Sequence, residues 1–491
     1  MPAVLIRSIA TVLFGVGTSF LLPIFVAWWH GELRHIQDFA LPLLACWILA
    51  VLFWFRGRGK GGLGGVQNAF VIVGCAWVAI SVFGAFPLYN CGGFPSFVDA
   101  LFESVSGFTT TGASVLGDVE SLPRCINFWR CQTHWLGGMG VIALAVALIP
   151  LLGVGGYRLI QAETSGPEKG KLTARISNTA KILWMIYFVL TASQAALLHW
   201  SGMDWFDAVC HAMSTLGTGG FSTRNASLSS FANPTAEWIC TVFMLAASVN
   251  FGLYYQFLIG RWSEVRDNTE LRGFVFVVAA VVLGVTALEW THFGTLATAF
   301  RHSAFQVASI ITTTGFATTD FNQWPEASKT ILVMLMFVGA CAGSTGGGIK
   351  VSRFLISIQS VLSELHSYIH PKAITTVKMD KKPIDREVVR ATNVYFITFL
   401  LVFATSVFII SLEGHDLITN FTAVAATINN IGPGLSQVGP AANFNFFSHF
   451  SKYVLMFDML AGRLEFFPLL ILLHPTVWKD FATRKKKRTT L

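Results

Sequence analysis

Ten long apolar segments constrain the fold of this chain more than any other feature of its sequence. Each is about 18 residues or longer, which is the length of a helix that crosses the hydrocarbon core of a bilayer. The segments run approximately from 4 to 28, 39 to 55, 68 to 89, 126 to 152, 179 to 199, 236 to 259, 273 to 291, 330 to 362, 392 to 411 and 452 to 474. The sequence therefore predicts an all-α membrane protein with ten spanning helices.

The amino-acid composition agrees with a membrane protein and excludes several soluble classes. Apolar residues make up 53% of the 491 positions and charged residues 12%, whereas soluble proteins carry about 25% charged residues. The eight cysteines form no CxxC pair and have no histidines at ligand spacing, so neither a zinc site nor a disulfide framework is expected. A cytosolic enzyme, a nucleic-acid binder and a disordered scaffold are excluded, and no organic cofactor is expected in this chain.

The basic residues indicate the orientation of the chain. Of the 34 Lys and Arg residues, we assign 26 to one side of the membrane, at Arg7 and in the segments 56–60, 158–181, 261–272, 350–390 and 479–488. Because cytoplasmic loops carry an excess of positive charge, we expect both termini in the cytoplasm. We interpret the basic run 484–488 as a contact with anionic membrane lipid and not with nucleic acid.

Four similar segments between the predicted spans reveal an internal repeat. They are SGFTTTGAS at 106–114, MSTLGTGGFS at 213–222, SIITTTGFATTDF at 309–321 and ATINNIGPGLS at 426–436. Aligning Gly112, Gly220, Gly315 and Gly432 gives spacings of 108, 95 and 117 residues, each enough for a helix, a re-entrant segment and a second helix. The sequence predicts four pseudo-repeats of helix, re-entrant pore helix and helix around one central pore.

The repeats divide the chain into five parts. We expect an N-terminal two-helix extension (1–66), pore repeat 1 (67–175), pore repeat 2 (176–270), pore repeat 3 (271–388), and pore repeat 4 with the basic cytoplasmic tail (389–491).

A short helix of about three turns is predicted before each aligned glycine. Thirteen residues before the glycine stand Asp99 and Asp207, which we expect to cap the first two short helices, while His302 and Thr419 hold this position in the others. A turn at mid-membrane is tolerable only where it lines a polar cavity. Glycine enters positive φ freely, and the negative helix C-termini favour a cation. The four turns therefore predict a cation pore, with ordinary extracellular loops as the alternative.

The predicted ion-binding residues, called the filter below, are the three residues that end at each aligned glycine. They are Thr110, Thr111, Gly112, Thr218, Gly219, Gly220, Thr313, Thr314, Gly315, Asn430, Ile431 and Gly432. The second copy has an additional glycine and the fourth lacks threonine, so we expect less sharp selection than from four identical turns. Nine residues before the glycines, Glu103, His211 and Gln306 are expected to hydrogen-bond behind the filter.

These motifs, together with GSTGGGIK at 343–350 and GRLEFFP at 462–468, resemble the Trk/Ktr/HKT potassium transporter superfamily, specifically its TrkH-type membrane subunits. The resemblance covers the whole chain. It implies potassium uptake across the bacterial inner membrane, with potassium as the ion held in the filter. It also implies a homodimer that binds a cytoplasmic TrkA-type ring of nucleotide-binding subunits.

A glycine-rich run interrupts the eighth apolar segment. Consecutive glycines disfavour a helix by about 1 kcal/mol each, and Ile349 separates the run from Lys350, so the GK[ST] of a phosphate-binding loop is absent. The resemblance implies a mobile gate below the filter, and a kink for helix packing is the alternative. The predicted gate residues are Gly343, Ser344, Thr345, Gly346, Gly347, Gly348 and Lys350.

Arg463 is predicted to be the only basic residue deep within a span, a position that costs about 2.5–3.5 kcal/mol on insertion scales. It is expected either to pair with Asp458 or Glu465, or to snorkel to the membrane surface. The resemblance implies instead an electrostatic barrier in the pore below the filter.

The predicted function is therefore potassium uptake driven by the membrane potential and not an enzymatic reaction. A proton- or sodium-coupled symporter is the alternative, although we count only Asp458 and Glu465 as acids within the spans. A membrane enzyme would need HExxH or clustered acids with metal spacing, which the sequence lacks.

Overall fold

The computed structural model describes residues 3–57, 66–140, 176–371 and 376–477. Within these ranges the chain is helical apart from short 3₁₀ turns, loops and one hairpin of strands β1 (Lys378–Met379) and β2 (Lys382–Pro383). The helices are α1 Ala3–Ser19, α2 Leu21–Trp29, α3 Ile36–Arg56, α4 Val66–Asn90, α5 Phe97–Phe108, α6 Arg124–Gly138, α7 Ile176–Trp200, α8 Trp205–Leu216, α9 Pro234–Ala247, α10 Phe251–Leu258, α11 Trp262–Arg266, α12 Thr269–Phe293, α13 Leu296–Ile311, α14 Glu326–Met336, α15 Val351–Ile369, α16 Arg386–Ser411, α17 Leu417–Ile428, α18 His449–Arg463 and α19 Phe467–Leu473. The predicted all-α membrane class is confirmed.

Six uninterrupted apolar stretches in the described ranges have the length of a membrane span, and α9 with α10 forms a seventh if that bent pair is counted. The expected segment 126–152 extends beyond the described residues. Three other expected spans are broken. The chain bends by 91° between α9 and α10, residues 337–350 separate α14 from α15, and residues 464–466 separate α18 from α19. The expectation of uninterrupted spans was wrong at the first and third of these breaks.

Local chemistry explains the two unexpected breaks. Asn250 accepts the N–H of Gly252 at 2.7 Å and thereby begins a new helix after Ser248, as an N-cap residue does. Glu465 and Phe466 both have positive φ, at 56° and 67°. Left-handed backbone cannot continue a right-handed helix, so α18 ends before them.

The four short helices predicted before the aligned glycines are α5, α8, α13 and α17, called the pore helices below. Their N-cap residues are Ser96, Asp204, Thr295 and Asp416. The expectation that Asp99 and Asp207 are the caps was therefore wrong by three residues. Both acids lie in the first helical turn, where a negative charge also favours the helix N-terminus.

Asp99 links the first repeat to the last. Its Oδ1 accepts a hydrogen bond from Lys452 Nζ of α18 at 2.7 Å, and both side chains are buried. Asp99 Oδ2 also accepts the hydroxyl of Ser96 at 2.7 Å. Because α18 packs against α5 at this pair, the helices of repeat 4 return to repeat 1 and close the arrangement.

The N-terminal helices pack on the first pore repeat. The Phe20 ring lies 4.8 Å from the Trp129 ring of α6. Glu32 accepts the N–H groups of Arg124 and Cys125 at 2.8 and 3.0 Å, which satisfies free donors at the start of α6. The N-terminal segment therefore caps the N-terminus of α6.

Candidate ion pathway

The four predicted filter turns share one backbone conformation. In each, the first and third residues have positive φ: Thr110 56° and Gly112 80°, Thr218 54° and Gly220 83°, Thr313 59° and Gly315 83°, Asn430 56° and Gly432 101°. Positive φ costs a non-glycine residue about 1–2 kcal/mol. A strained conformation that recurs in four places is held by its surroundings, and such strain is typical of functional sites.

The four turns form a closed ring. A Cβ atom added to each aligned glycine would collide with a carbonyl oxygen of the next turn, and the fourth glycine faces the first turn. The distance from the added Cβ to that oxygen would be 2.0 Å between Gly112 and Gly219 O, 2.1 Å between Gly220 and Thr314 O, 2.0 Å between Gly315 and Ile431 O, and 2.7 Å between Gly432 and Thr111 O. The backbone contacts leave no room for a side chain at these four positions, so glycine is required by both φ and space.

The support behind the ring differs between repeats. In repeats 1 and 3, two threonine hydroxyls bond each other behind the turn, Thr109 with Thr111 at 2.8 Å and Thr312 with Thr314 at 2.7 Å. The matching pair in repeat 2 is Gly217 and Gly219, and in repeat 4 it is Asn429 and Ile431. The irregularity seen in the sequence therefore replaces these hydroxyl pairs, while the four turns keep the same pattern of positive φ.

His134 of α6 fills the space left in repeat 2. Its Cγ lies 2.1 Å from where a Cβ of Gly219 would be. Its Nδ1 is 2.8 Å from the carbonyl oxygen of Gly107, and its ring centroid lies 4.1 Å from that of Phe221. Sequence reasoning missed His134, because it precedes Gly219 by 85 positions and carries no repeat signal.

In repeat 4 an amide supports the ring. Nδ2 of Asn430 donates to Thr111 Oγ1 at 2.9 Å and to the carbonyl oxygen of Met459 at 2.9 Å. Asn430 therefore connects the fourth turn both to the first turn and to α18.

The residues nine positions before the glycines form hydrogen bonds with the segments that follow the filter turns. Glu103 accepts the hydroxyl of Ser114 at 2.9 Å and pairs with the buried Arg130 at 2.7 Å. His211 Nε2 lies 2.9 Å from Ser222 Oγ, and Gln306 donates to Thr319 O at 3.5 Å. These contacts agree with the expected hydrogen bonding behind the filter.

The predicted gate residues lie in the loop 337–350 between α14 and α15, called the intramembrane loop below. Its tip touches two filter turns, since Gly347 N–H donates to Thr313 Oγ1 at 2.6 Å and Thr218 Oγ1 donates to Thr345 O at 3.0 Å. A Cβ on Gly347 would lie 2.7 Å from Asn429 O, so the tip also abuts repeat 4.

Lys350 stabilises the intramembrane loop from within. It is 5% exposed, and its Nζ donates to the carbonyl oxygens of Gly346 and Gly347. Gly343 and Gly348 adopt positive φ of 73° and 67°, which suits glycine. The run is therefore an ordered loop and not a helix with a kink.

Arg463 connects the tip of the intramembrane loop to α6. Its guanidinium donates to Thr345 O at 2.8 Å and to Gly137 O at 2.7 Å. Asp458 and Glu465 have partners of their own, because Asp458 accepts Ser406 Oγ at 2.7 Å and Glu465 pairs with Arg353. Of the predicted site residues, Arg463, the intramembrane loop and the filter thus come together in one place.

Comparison with known proteins identifies the family. The model of a family described as "TrkH: Cation transport protein" matches residues 35–480. The chain belongs to the TrkH family. This confirms the TrkH-type assignment made from the sequence motifs.

Individual TrkH relatives are similar over nearly the whole chain. The Trk system potassium uptake protein TrkH of Salmonella typhimurium is 40% identical over 437 residues, covering 88% of this chain and 90% of the relative. The Trk system potassium uptake protein TrkG of Escherichia coli is 36% identical over 468 residues, covering 94% and 96%. A crystal structure of the potassium transporter TrkH from Vibrio parahaemolyticus matches with a TM-score of 0.86 and 36% identity, covering 97% and 99%.

Two predictions about charged residues in the spans of this TrkH-family chain were wrong. Arg463 is not the only buried base, since Arg130 of α6 is 2% exposed. Asp458 and Glu465 are not the only acids either, because Glu237 of α9 and Glu289 of α12 are 5% and 0% exposed. Glu237 pairs with Arg301 at 3.0 Å. Neither oxygen of Glu289 has a hydrogen-bond partner among the described residues.

Proposed function

We propose that this TrkH-family chain is the membrane subunit of a potassium uptake system and conducts potassium through the filter. The observation that carries the proposal is the closed ring of four turns, in which each aligned glycine abuts a carbonyl oxygen of the next turn. Rings of backbone carbonyls replace the hydration shell of potassium in selective channels. The relatives named above are potassium uptake proteins, which agrees with this ion.

The driving force in this proposal is the membrane potential. One charge that crosses 100 mV gains about 2.3 kcal/mol, which corresponds to roughly fifty-fold accumulation. The pore helices support entry of a cation, because their C-terminal ends carry partial negative charge. No organic cofactor and no chemical reaction are required.

The intramembrane loop is the gate in this proposal. Its tip contacts the turns of repeats 2 and 3, so an ion leaving the filter meets the loop next. Arg463 donates to the carbonyl oxygen of Thr345 at this tip, where its charge repels a permeating cation. Closure and the rate of flux therefore depend on the same few residues.

The assembly and location follow from the family resemblance. The chain lies in the bacterial inner membrane as a homodimer with both termini in the cytoplasm. A cytoplasmic ring of TrkA-type nucleotide-binding subunits regulates it. The basic run 484–488, which lies outside the described residues, contacts anionic lipid.

A proton- or sodium-coupled symporter is the second candidate. It is favoured by two buried carboxyl groups that have oxygens without a hydrogen-bond partner among the described residues, Glu289 and Asp458. Ionisable groups within membrane segments are often proton or ion sites.

Rubidium uptake into liposomes that contain the pure protein separates the two candidates. A conducting pore takes up rubidium in response to an imposed potential alone, whereas a symporter also responds to an imposed proton or sodium gradient at zero potential. No uptake under any gradient contradicts both. Glu289→Gln serves as the matched variant, because it is expected to change uptake only if this carboxyl carries a coupling ion.

A further inference from the structure

Both ends of the glycine-rich part of the intramembrane loop are fixed to one carboxylate. Oε1 of Glu270, the second residue of α12, accepts the N–H of Ala342 at 2.9 Å and the N–H of Ser352 at 2.9 Å. Ala342 stands at the entry of the glycine run, and Ser352 is the second residue of α15, which follows the loop. Glu270 is 2% exposed, so a single buried side chain holds entry and exit together.

The N–H groups of Ala342 and Ser352 have no acceptor within a helix that could replace Glu270. The first N–H groups of a helix lack partners within that helix, and Ser352 belongs to the first turn of α15. Ala342 directly precedes Gly343 and lies outside any helix. Hydrogen bonds to a carboxylate are roughly twice as strong as neutral ones, so an uncharged amide oxygen at the same place would hold both N–H groups more weakly.

The first turn of α12 is itself held by the hairpin of β1 and β2. Asp380 Oδ1 accepts the N–H of Thr269 at 2.7 Å, and the N–H of Asp380 donates to Thr269 Oγ1 at 3.0 Å. Beside them, Lys381 Nζ donates to Asp267 at 2.9 Å. The hydrogen bond and the charge of Lys381 lower the pKa of the Asp267 carboxyl.

We propose that Glu270 is a positioning residue for the intramembrane loop and that it transmits movement of the hairpin at Asp380 to the loop. The inference rests on the proposed function, in which this loop opens and closes the ion pathway. Thr269 and Glu270 are adjacent in one helical turn. A displacement of Thr269 by the hairpin therefore moves both ends of the glycine run, and with them the tip that touches Thr218 and Thr313.

Cys341 is a natural probe of the loop position. It precedes Ala342, is 1% exposed and is not in a disulfide. The full chain in detergent is treated with N-ethylmaleimide, and the labelling rate at Cys341 is measured by peptide mapping. This readout is local, so the other cysteines can stay in place.

We expect Glu270→Gln to raise the labelling rate of Cys341 about tenfold, which corresponds to about 1.4 kcal/mol. Glu270→Asp, which keeps the charge but withdraws it by one methylene group, is expected to give an intermediate rate. Glu364→Gln is the matched control, because Glu364 is an exposed glutamate of α15. Wild-type labelling in both Glu270 variants overturns the proposal.

The link to the hairpin is tested by a double-mutant cycle. Asp380→Asn is expected to speed labelling, and adding Glu270→Gln is expected to speed it little further, because both changes act through one route. Asp385→Asn is the control at an exposed position of the same segment. Fully additive effects on the labelling rate would overturn transmission from the hairpin.

Rubidium flux measured on the same preparations tests the gate function of the intramembrane loop separately from the positioning role of Glu270. If deletion of Gly346 to Gly348 and Glu270→Gln both leave flux unchanged while Cys341 is labelled faster, the gate is contradicted and the positioning role of Glu270 stands. If only the deletion raises flux and labelling in Glu270→Gln stays at the wild-type rate, the positioning role is overturned and the gate stands.

Discussion

The imidazole of His134 occupies the space that a side chain at position 219 would need. A Cβ on Gly219 would lie 2.1 Å from His134 Cγ, far inside the contact distance of two carbon atoms. The equivalent positions Thr111 and Thr314 carry hydroxyls that bond to a threonine two residues earlier. In repeat 2, the side chain of His134 from α6 therefore lies where repeats 1 and 3 have a pair of threonine hydroxyls. A side chain at position 219 and the imidazole of His134 cannot occupy this space together.

We expect Gly219→Ala to reduce rubidium uptake strongly, because the added methyl group must displace His134 or the filter backbone. Overpacking of this kind costs about 1–3 kcal/mol. The measurement is initial uptake into liposomes at equal amounts of protein.

A second substitution at His134 shows whether Gly219→Ala fails because of its contact with His134 or because the filter accepts no side chain at this position. The double variant His134→Ala with Gly219→Ala is expected to recover part of the uptake lost in Gly219→Ala. A double variant as inactive as the single one would contradict the exclusion between the two residues.

We expect Gly315→Ser to weaken the preference for potassium over sodium. Gly315 has φ of 83°, and a Cβ would lie 2.0 Å from the carbonyl oxygen of Ile431, so a side chain distorts the carbonyl ring. Competition of sodium with rubidium uptake measures the preference. Gly284→Ser is the control in α12, where nothing lies within 4 Å of an added Cβ; unchanged sodium exclusion in Gly315→Ser would count against the ring.

Deleting Gly346 to Gly348 is expected to raise rubidium flux in the absence of a regulatory subunit. The deletion removes Gly347, whose N–H donates to the filter residue Thr313, and removes carbonyl oxygens that accept from Lys350. Initial uptake at equal membrane protein is the measurement. Loss of uptake with normal yield would instead indicate that the loop is needed to maintain the filter.

The ion pair of Lys452 and Asp99 predicts a specific effect on stability. Removing one partner of a buried pair leaves an unpaired charge and costs about 3–5 kcal/mol. Lys452→Met is therefore expected to lower the thermal unfolding midpoint of the purified chain clearly. Lys452→Met combined with Asp99→Leu is expected to restore most of it, and a double variant that is less stable than Lys452→Met would contradict this account.

Sequence reasoning found the features that depend on neighbouring residues. The pore helices and the aligned glycines follow from local patterns, because a turn that needs positive φ demands glycine wherever it occurs. The helix breaks at Asn250 and Glu465 were not predicted from the sequence. Apolar residues continue on both sides of each break, and hydropathy does not indicate a bend. An asparagine that can cap a new helix was the available signal at the first break.

The supporting residues of the site could not be predicted in the same way. Glu270 bonds residues 72 and 82 positions away, and Lys452 pairs with a residue 353 positions away. Such contacts arise only when the repeats close into a ring. A sequence pattern specifies which turns resemble one another, whereas the residues that hold the turns together differ from repeat to repeat.

The guanidinium of Arg463 donates hydrogen bonds both to the tip of the intramembrane loop and to α6. We expect Arg463→Ala and Arg463→Gln to raise maximal rubidium flux and to leave the apparent affinity nearly unchanged, because in the proposed pathway the ion loses its water at the filter and meets this charge afterwards. Its repulsion of a permeating ion is at most several kcal/mol after screening. Arg463→Lys keeps the charge but not the forked geometry, so it separates an electrostatic role from a hydrogen-bonding role.

Slow flux in Arg463→Lys beside fast flux in Arg463→Ala and Arg463→Gln, at equal yield, supports an electrostatic barrier. Fast flux in all three indicates that the hydrogen bonds to Thr345 and Gly137 hold the loop closed, and failure of all three to accumulate in the membrane would contradict both roles.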